Sequence, residues 1–451
     1  MLLSFIVLYL LVSIGVGLYA ATRVHNTADY AVAGRSLPLA VVIATTFATW
    51  FGSETVLGVS ARFVDGGLGA VVEDPFGASM CLVLVGLFFA YKLYQKNLIT
   101  LGDYYRQRYG RVIEVACSAI IMFSYLGWVA AQITALGLVF NLLTQGAVSI
   151  TMGMIIGTLV VLVYTLYGGM WSVAMTDFVQ MIVIGVGLLA IAWYAADLAG
   201  GAGKVVEFAA REGKFHFFPT GGVKEWTFFI AAAITMMLGS IPQQDVFQRV
   251  MSANSVKAAT RGTVIGGSAY ILFAFVPMFL VTSALIIMPE QAAALLAQDP
   301  QKVLPTLVMD KMPFFMQVLF FGALLSAIKS CASATLLAPS VTFTENIWRQ
   351  FRTQASDREM LLAMRISVLV FSVCVLAYSI RMEGTPIYEL VSSAYQVPLV
   401  GAFVPLVFGL YWKRATTQGA VFAVGLGIGV WVVFMATPAL HEAFPQQLAG
   451  L

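Results

Sequence analysis

Long apolar runs separated by short polar segments make up most of the chain, and this pattern predicts transmembrane helices. A helix needs about 20 apolar residues to cross the hydrocarbon core of a bilayer. By that length we predict twelve spans, near residues 1–21, 39–60, 69–92, 112–142, 148–168, 171–196, 226–249, 262–288, 314–345, 361–380, 387–411 and 417–438. The fourth and ninth are long enough to tilt or to project from the membrane.

The second span has an unusual centre for a membrane helix. Small and polar residues occupy its middle: Thr45, Thr46, Thr49, Gly52, Ser53, Glu54 and Thr55. Glycine weakens a helix, and a carboxylate at mid-depth is costly unless it is paired or hydrated. An interrupted membrane helix frees backbone carbonyls that can bind a cation or a substrate. Small residues also form packing faces between helices, so this run alone leaves both interpretations open.

A second interruption lies in the span from Trp226 to Arg249, where Gly239, Ser240 and Pro242 are followed by Gln243. This span begins five spans after the first interrupted one. A repeat with an odd number of crossings must be inverted relative to its copy. Two broken helices in corresponding places of two inverted halves are typical of an alternating-access transporter with a mid-membrane site. A structural helix kinked by proline is the alternative.

Composition supports a polytopic membrane protein. Hydrophobic residues make up 60% of the chain and charged residues 10%, whereas soluble proteins carry roughly 25% charged residues. The net charge of +3 gives no indication of nucleic-acid binding. The four cysteines lie in apolar runs without ligand spacing, so we expect small buried residues and no disulfide or metal: Cys81, Cys117, Cys331 and Cys374. No nucleophile–base pair or phosphate-binding motif indicates an enzyme.

The basic residues predict the orientation. With the N-terminus outside, one set of loops contains Arg23, Arg35, Lys92, Lys96, Arg106, Arg108, Arg111, Arg249, Lys257, Arg261, Arg349, Arg352, Arg358, Lys413 and Arg414. The opposite set contains Arg62, Lys204, Arg211, Lys214, Lys224, Lys302, Lys311 and Arg381, half of them in one long loop. The positive-inside rule makes the first set cytoplasmic. We therefore expect an integral protein of the cell (inner or plasma) membrane.

Several segments resemble the sodium:solute symporter family between Asp29 and about Gln418. They include DYAVAGRSLP (29–38), TLGDYYRQRYG (100–110), YTLYGGMWSVAMTDFVQ (164–180), FQRV (247–250) and GLYWKRAT (409–416). ATWFG (48–52) and SIPQQDVFQRV (240–250) are most similar to its choline-transporter branch.

The resemblance implies an all-α LeuT-type fold with five-plus-five inverted repeats and about twelve transmembrane helices. These would form one transporter domain over 1–451, with a leading helix at 1–21, repeats at about 39–196 and 226–411, and an extra helix at about 417–438.

Carried over by position, the family's sodium ligands would be the carbonyls of Ala48, Phe51 and Ala327 and side chains at 330 and 331. Sodium is a hard cation that prefers oxygen ligands. Ser330 fits this preference, whereas the thiol of Cys331 is a poor sodium ligand. About four oxygens would remain, so coupling could be weak.

Lys329 departs from the family pattern. At about 100° per residue, it lies away from the face that Ala327, Ser330 and Cys331 share. A buried ammonium needs a partner or loses its proton, and Asp177 is the candidate partner that the family suggests. Lys329 could form a structural ion pair or reach a cytoplasmic cavity. Alternatively, it could replace sodium or carry a coupling proton.

The resemblance also indicates substrate contacts. Trp50 and Trp128 match aromatic positions that surround a quaternary ammonium in the choline-transporter branch, while Gln243 replaces a third aromatic. Further substrate-binding candidates are Glu54, Thr55, Glu73, Asp74, Ser393 and Gln396. Aromatic faces attract such cations. The alternative is tryptophans of the interfacial belt and acidic residues at a helix start.

These features favour a secondary active transporter that imports a small organic solute, cationic or zwitterionic, using a sodium gradient. The alternatives are proton-coupled or sodium-independent transport involving Lys329, and a symporter-like sensory module of a histidine kinase. The expected partners are the solute and the lipid bilayer, with no nucleic acid. The sequence gives no oligomeric state.

Overall fold

The computed structural model describes residues 1–451, and the chain is helical, with one isolated bridge between Leu37 and Ala253. The helices of the first half are α1 (Leu2–Ala21), α2 (Thr27–Val32), α3 (Leu39–Trp50), α4 (Val59–Ala70), α5 (Ala78–Leu84), α6 (Ala90–Tyr94), α7 (Leu101–Tyr109), α8 (Arg111–Leu143), α9 (Ile150–Leu198) and α10 (Ala202–Arg211). Wider π-helical turns at Glu54–Gly58, Val72–Gly77 and Val85–Phe89 join α4, α5 and α6 to their neighbours.

The second half of the chain is also helical. Its helices are α11 (Val223–Gly239), α12 (Gln244–Ser252), α13 (Val256–Ile287), α14 (Pro289–Gln298), α15 (Val303–Lys311), α16 (Phe314–Asn346), α17 (Asp357–Arg381), α18 (Ile387–Pro398), α19 (Val404–Tyr411), α20 (Thr417–Ala436), α21 (Pro438–Ala443) and α22 (Gln446–Gly450). A π-helical turn at Leu399–Phe403 joins α18 to α19.

Both predicted interruptions are present. Nine helices are long and apolar enough to cross a membrane, and two bent pairs raise the number to eleven. The first pair joins α3 to Glu54–Ala70 with a bend of 53°, and the second joins α11 to α12 with a bend of 43°. The helix after this first break continues beyond the predicted end of the span near Ser60 and reaches Ala70, with non-helical dihedral angles at Gly67. Arg62 therefore lies within it, with its guanidinium 5.9 Å from the ring centre of Tyr388.

Gly169 divides α9 into two spans. The hydroxyl of Tyr164 donates to the carbonyl of Lys329 (3.3 Å), and Asp177 accepts a hydrogen bond from the neighbouring Ser330 (2.5 Å). A straight helix would place Tyr164 and Asp177 roughly 20 Å apart along its axis. Gly169 has φ 48° and ψ −136°, which allows the reversal. The predicted spans 148–168 and 171–196 therefore correspond to the two arms, and the structure accommodates twelve crossings.

Helix α16 forms the centre of the molecule. It packs against both α8 and α9, and its residues from Phe320 to Thr342 are all buried. In contrast, α1, α17 and α20 lie at the periphery and expose apolar side chains. Cys374 on α17 is exposed, so the expectation that every cysteine is buried is wrong. The reason is that its helix contributes only one face to the core.

The two sets of basic residues lie at opposite ends of the helices. Within the first set, hydrogen bonds join Arg35 to Tyr94 (2.9 Å), Arg108 to Ala415 (2.9 Å) and Arg111 to Gln350 (2.6 Å). Within the second set, Arg62 and Lys302 line the same cavity. Arg249 is an exception, because it is only 2% exposed and donates to the carbonyl of Asp245 (2.7 Å). It belongs to the packed helix α12 and not to a loop.

Candidate substrate and ion sites

The break after α3 leaves backbone carbonyls free at mid-helix. In the last helical hydrogen bond, the amide of Phe51 donates to the carbonyl of Phe47 (3.0 Å). The amide of Ser53 instead donates to Gln132 Oε1 (3.0 Å). Phe51 itself has φ −87° and ψ 75°. No backbone hydrogen bond reaches the carbonyls of Ala48 and Phe51 across this break. Both oxygens can therefore bind a cation.

Helix α16 lies directly against the same break. A Cβ atom added to Gly52 would lie 3.0 Å from the Cβ of Cys331. The neighbouring hydroxyl of Ser330 donates to Asp177 (2.5 Å), whose second oxygen accepts from Thr45 of α3 (2.5 Å). A carboxylate thus joins α3, α9 and α16 beside the predicted ion ligands. Ala327 and Cys331 are also fully buried, but the sulfur of Cys331 lies 3.8 Å from Glu54 Oε1.

Lys329 points to a different part of the molecule. Its ammonium donates to Ser13 Oγ of the leading helix (2.6 Å) and lies 4.7 Å from the ring centre of Tyr9. The hydroxyl of Tyr9 is hydrogen-bonded to Ser326, one turn earlier on α16. The suggested ion pair with Asp177 is not formed, because Asp177 faces Thr45 and Ser330 while Lys329 faces α1. The buried ammonium has no carboxylate within ion-pairing distance.

Three aromatic rings converge next to the break. The ring centres of Trp50 and Trp128 are 5.6 Å apart, those of Trp50 and Tyr395 are 5.8 Å apart, and those of Trp128 and Tyr395 are 5.2 Å apart. All three side chains are buried. We call this group the aromatic cluster. Tyr395 was not predicted, although it occupies the span that contains Ser393 and Gln396.

Glu54 lies at the edge of the aromatic cluster. It accepts hydrogen bonds from Trp128 Nε1 (3.4 Å) and from Gln132 Nε2 (2.5 Å), which is one turn further along α8. Glu54 is buried and has no cationic side chain within ion-pairing distance. A negative group with neutral partners beside aromatic faces is suited to a positively charged ligand. The sequence analysis missed Gln132, although its position four residues after Trp128 places both side chains on the same face of α8.

Thr55 and Asp74 are connected through a residue that the sequence analysis missed. Thr55 Oγ1 and Tyr270 Oη are 2.8 Å apart, and the same tyrosine hydroxyl is hydrogen-bonded to Asp74 Oδ1. The second carboxylate oxygen of Asp74 has no partner and is buried. Tyr270 therefore joins α13 to both predicted residues. Nothing in the sequence around Tyr270 distinguishes it from other tyrosines in apolar spans.

The remaining substrate candidates lie further out. Glu73, Ser393 and Gln396 line a cavity of about 460 Å³ together with Arg62. Glu73 accepts a hydrogen bond from Ser392 (2.8 Å). The cavity lies on the side of the molecule that carries Arg62, one of the basic residues of the predicted external set.

Gln243 and Gln396 are each held by other side chains. Gln243 Nε2 donates to Ser124 Oγ (2.9 Å), and its own Oε1 has no partner. Gln396 Oε1 accepts from Trp431 of α20 (3.1 Å) and from Gln446 of α22 (2.8 Å). The second broken helix nevertheless lies close to the aromatic cluster, because a Cβ added to Gly239 would be 2.4 Å from the carbonyl of Tyr395.

Comparisons with known proteins agree with this architecture. The family model described as the sodium:solute symporter family matches residues 30–427. A human protein named high affinity choline transporter 1 is 30% identical over 439 residues, covering 93% of this chain and 74% of that protein. The zebrafish (Danio rerio) sodium/glucose cotransporter 4 is 24% identical, covering 96% of this chain and 71% of the relative.

Two solved structures are similar in fold. One is a substrate-bound, outward-open Na⁺-coupled sialic acid symporter, with a TM-score of 0.84 and 18% identity, covering 100% of this chain and 94% of that one. The other is Mhp1, a nucleobase-cation-symport-1 family transporter, with a TM-score of 0.63 and 14% identity, covering 93% of this chain and 91% of that one. The chain is an integral membrane protein of the LeuT-type fold and a secondary active transporter, and it belongs to the sodium:solute symporter family.

Proposed function

We propose that this transporter imports a small solute that carries a quaternary or substituted ammonium group, such as choline, and that sodium drives its uptake. The observation that carries this proposal is the convergence of Trp50, Trp128 and Tyr395 beside the carboxylate of Glu54. The similarity to choline transporters of several animals supports the same class of solute.

The aromatic cluster has the chemistry that such a cation requires. A quaternary ammonium cannot donate hydrogen bonds, so aromatic faces are the protein surfaces that replace its lost hydration, at about 0.5–2 kcal/mol for each ring. Glu54 supplies the compensating charge. Trp50 Nε1 and Tyr395 Oη are buried without hydrogen-bond partners, which suits a solute that also carries a hydroxyl group.

The residues around the break also fit a sodium ion. The free carbonyls of Ala48 and Phe51, the carbonyl of Ala327 and the hydroxyl of Ser330 would supply hard oxygen ligands. Asp177, which accepts the hydrogen bond of Ser330, would add a negative charge close to the ion. The thiol of Cys331 contributes no such ligand.

The two sites share one structural element, and this provides a mechanism for coupling. Trp50 of the aromatic cluster lies between Ala48 and Phe51, whose carbonyls would bind sodium. Binding of sodium would fix the backbone at the break and thereby hold Trp50 in position for the solute. Because coupling between two sites is reciprocal, the solute should equally raise the affinity for sodium.

The direction of transport depends on which end of the helices faces the outside of the cell. We place the N-terminus outside because the more basic set of loops should face the cytoplasm. The outer cavity lined by Glu73 and Arg62 would then receive the solute. A membrane-impermeant thiol reagent applied to intact cells should modify Glu212→Cys and should not modify Arg358→Cys. The reverse pattern would contradict this orientation.

Uptake into proteoliposomes tests the proposal as a whole. Purified protein should accumulate radiolabelled choline when an inward sodium gradient is imposed, and equal sodium on both sides should abolish the accumulation. Inward gradients of potassium and of protons serve as controls. Accumulation that follows the proton gradient and ignores sodium would contradict sodium coupling and favour a role for Lys329.

A further inference from the structure

A second site lies far from the aromatic cluster, at the end of the molecule where the more basic loops meet. It is a cavity of about 510 Å³ between the end of α6, helix α7 and the last turn of α19. Lys92, Lys96 and Arg108 line it, together with the amides of Gln95 and Gln107. No carboxylate lines this cavity, and none of its three cationic residues forms an ion pair. We call it the basic cavity.

The cations of the basic cavity are positioned by aromatic rings and carbonyls. The ammonium of Lys92 lies 3.5 Å from the ring centre of Tyr411, and that of Lys96 lies 5.7 Å from the ring centre of Tyr104. Arg108 Nε donates to the carbonyl of Gly409 (3.2 Å). These contacts hold the positive charges in place without neutralising them, so the cavity is suited to an anion.

Tyr104 provides an independent indication of a ligand. Its side chain is only 1% exposed, and its hydroxyl has no hydrogen-bond partner. A Cβ atom added to Gly409 would lie 2.6 Å from this hydroxyl, so both residues meet at the cavity wall. A buried hydroxyl without a hydrogen-bond partner is energetically unfavourable. A phosphate oxygen in the basic cavity would satisfy it.

The position of the basic cavity indicates where the phosphate comes from. Lys92 lies near the end of the span Val72–Tyr94, and Gly409 lies near the end of the span Ile387–Tyr411, so the cavity is at the boundary of the membrane. The adjacent side chains of Leu87, Phe88 and Phe408 are apolar and exposed. An acyl chain could lie along these side chains while the headgroup occupies the cavity.

We propose that the basic cavity binds the phosphate headgroup of an anionic phospholipid, with Lys92, Lys96, Arg108 and the hydroxyl of Tyr104 as its contacts. Basic cavities between transmembrane helices commonly bind such headgroups. This site is separate from the transport site, so its test does not depend on the identity of the solute.

Native mass spectrometry of the detergent-solubilised protein, titrated with phosphatidylglycerol and with phosphatidylcholine, measures this interaction. We expect tighter binding of phosphatidylglycerol. The double variant Lys92→Gln/Lys96→Gln should weaken it roughly twenty-fivefold, since each lysine near an anionic headgroup contributes about a fivefold factor. Tyr104→Phe should weaken it severalfold, and because that hydroxyl has no partner within the protein, the variant should keep its fold.

The matched control removes two positive charges elsewhere, in Lys257→Gln/Arg358→Gln, whose residues are exposed and do not line the basic cavity. It should bind phosphatidylglycerol like the parent. Equal weakening in both double variants would overturn the proposal, because the attraction would then come from general surface charge. Displacement of the lipid by millimolar inorganic phosphate would also overturn it and indicate a site for a soluble anion.

Discussion

Trp50 and Tyr395 are stacked, with ring centres 5.8 Å apart and an angle of 23° between their planes. Trp50 ends α3, and Tyr395 lies in α18, so the stack joins the first broken helix to a span near the other end of the chain. Each ring also contacts Trp128 of α8. The three helices thereby build one aromatic surface, and Tyr125 of α8 extends it by stacking on Trp128.

Removing one ring of the aromatic cluster should weaken solute binding in proportion to the lost aromatic face. We expect Trp50→Ala, Trp128→Ala and Tyr395→Ala each to reduce choline affinity by about 0.5–2 kcal/mol. Phenylalanine at the same positions should retain more affinity than alanine, because it keeps an aromatic face. Equilibrium binding of radiolabelled choline to the purified variants provides the measurement. If all three alanine variants bind like the parent, the rings serve only in packing.

Ser330 and Cys331 should respond differently to substitution. Ser330→Ala removes a hard oxygen and should raise the sodium concentration for half-maximal uptake by roughly tenfold, whereas Cys331→Ala should change it little. Cys331→Ser adds a hydroxyl and should lower that concentration. Sodium titration of uptake in proteoliposomes gives these values. Equal effects of the two alanine substitutions would show that the hydroxyl of Ser330 is not a ligand.

Lys329 should anchor the leading helix without affecting coupling. Its contacts are Ser13 and Tyr9 of α1, so Lys329→Met should lower the free energy of unfolding by about 1 kcal/mol through the lost hydrogen bond. Ser13→Ala, which removes the same bond from the other side, is the matched control. Unfolding in mixed micelles and sodium-dependent uptake are both measured. Sodium-independent uptake by the parent that Lys329→Met abolishes would instead assign Lys329 to coupling.

The reversal of chain direction inside α9 allows a prediction about the stability of a variant at Gly169. Gly169 has φ 48°, and an added Cβ would lie 2.3 Å from the carbonyl oxygen of Tyr30. Gly169→Ala should therefore lower the free energy of unfolding by about 1–3 kcal/mol. Gly185→Ala, in the same helix with no atom within 4 Å of its added Cβ, should be neutral or slightly stabilising. Equal stability of the two variants in mixed-micelle unfolding would contradict the reversal at Gly169.

The sequence predicts the spans and both breaks because these depend on local properties. Apolar length determines where a helix crosses, and Gly52, Gly239 and Pro242 interrupt hydrogen bonding wherever the rest of the chain lies. The motifs of the family added Trp50 and Trp128 to the candidate site. None of these inferences required knowledge of how the helices pack.

Contacts between distant helices could not be predicted in the same way. Tyr395 and Tyr270 look like ordinary tyrosines of apolar spans, and only packing brings them to Trp50 and Asp74. The partner of Lys329 depends on which neighbour lies against its face of α16, and helical spacing alone does not identify α1. Arg249 was assigned to a loop for a similar reason, since its burial depends on the helices around α12.

The most direct test of sodium-dependent ammonium recognition compares choline with 3,3-dimethyl-1-butanol, in which a carbon atom replaces the charged nitrogen. Equilibrium competition against radiolabelled choline on the purified protein, in sodium and then in potassium, measures both affinities. Because the aromatic cluster and Glu54 should recognise the charge, we expect choline to bind at least roughly tenfold more tightly than the neutral analogue, and only when sodium is present. Equal affinity for the two compounds would contradict recognition of the charge by the aromatic cluster and Glu54. Choline binding that is the same in sodium and potassium would contradict coupling to sodium.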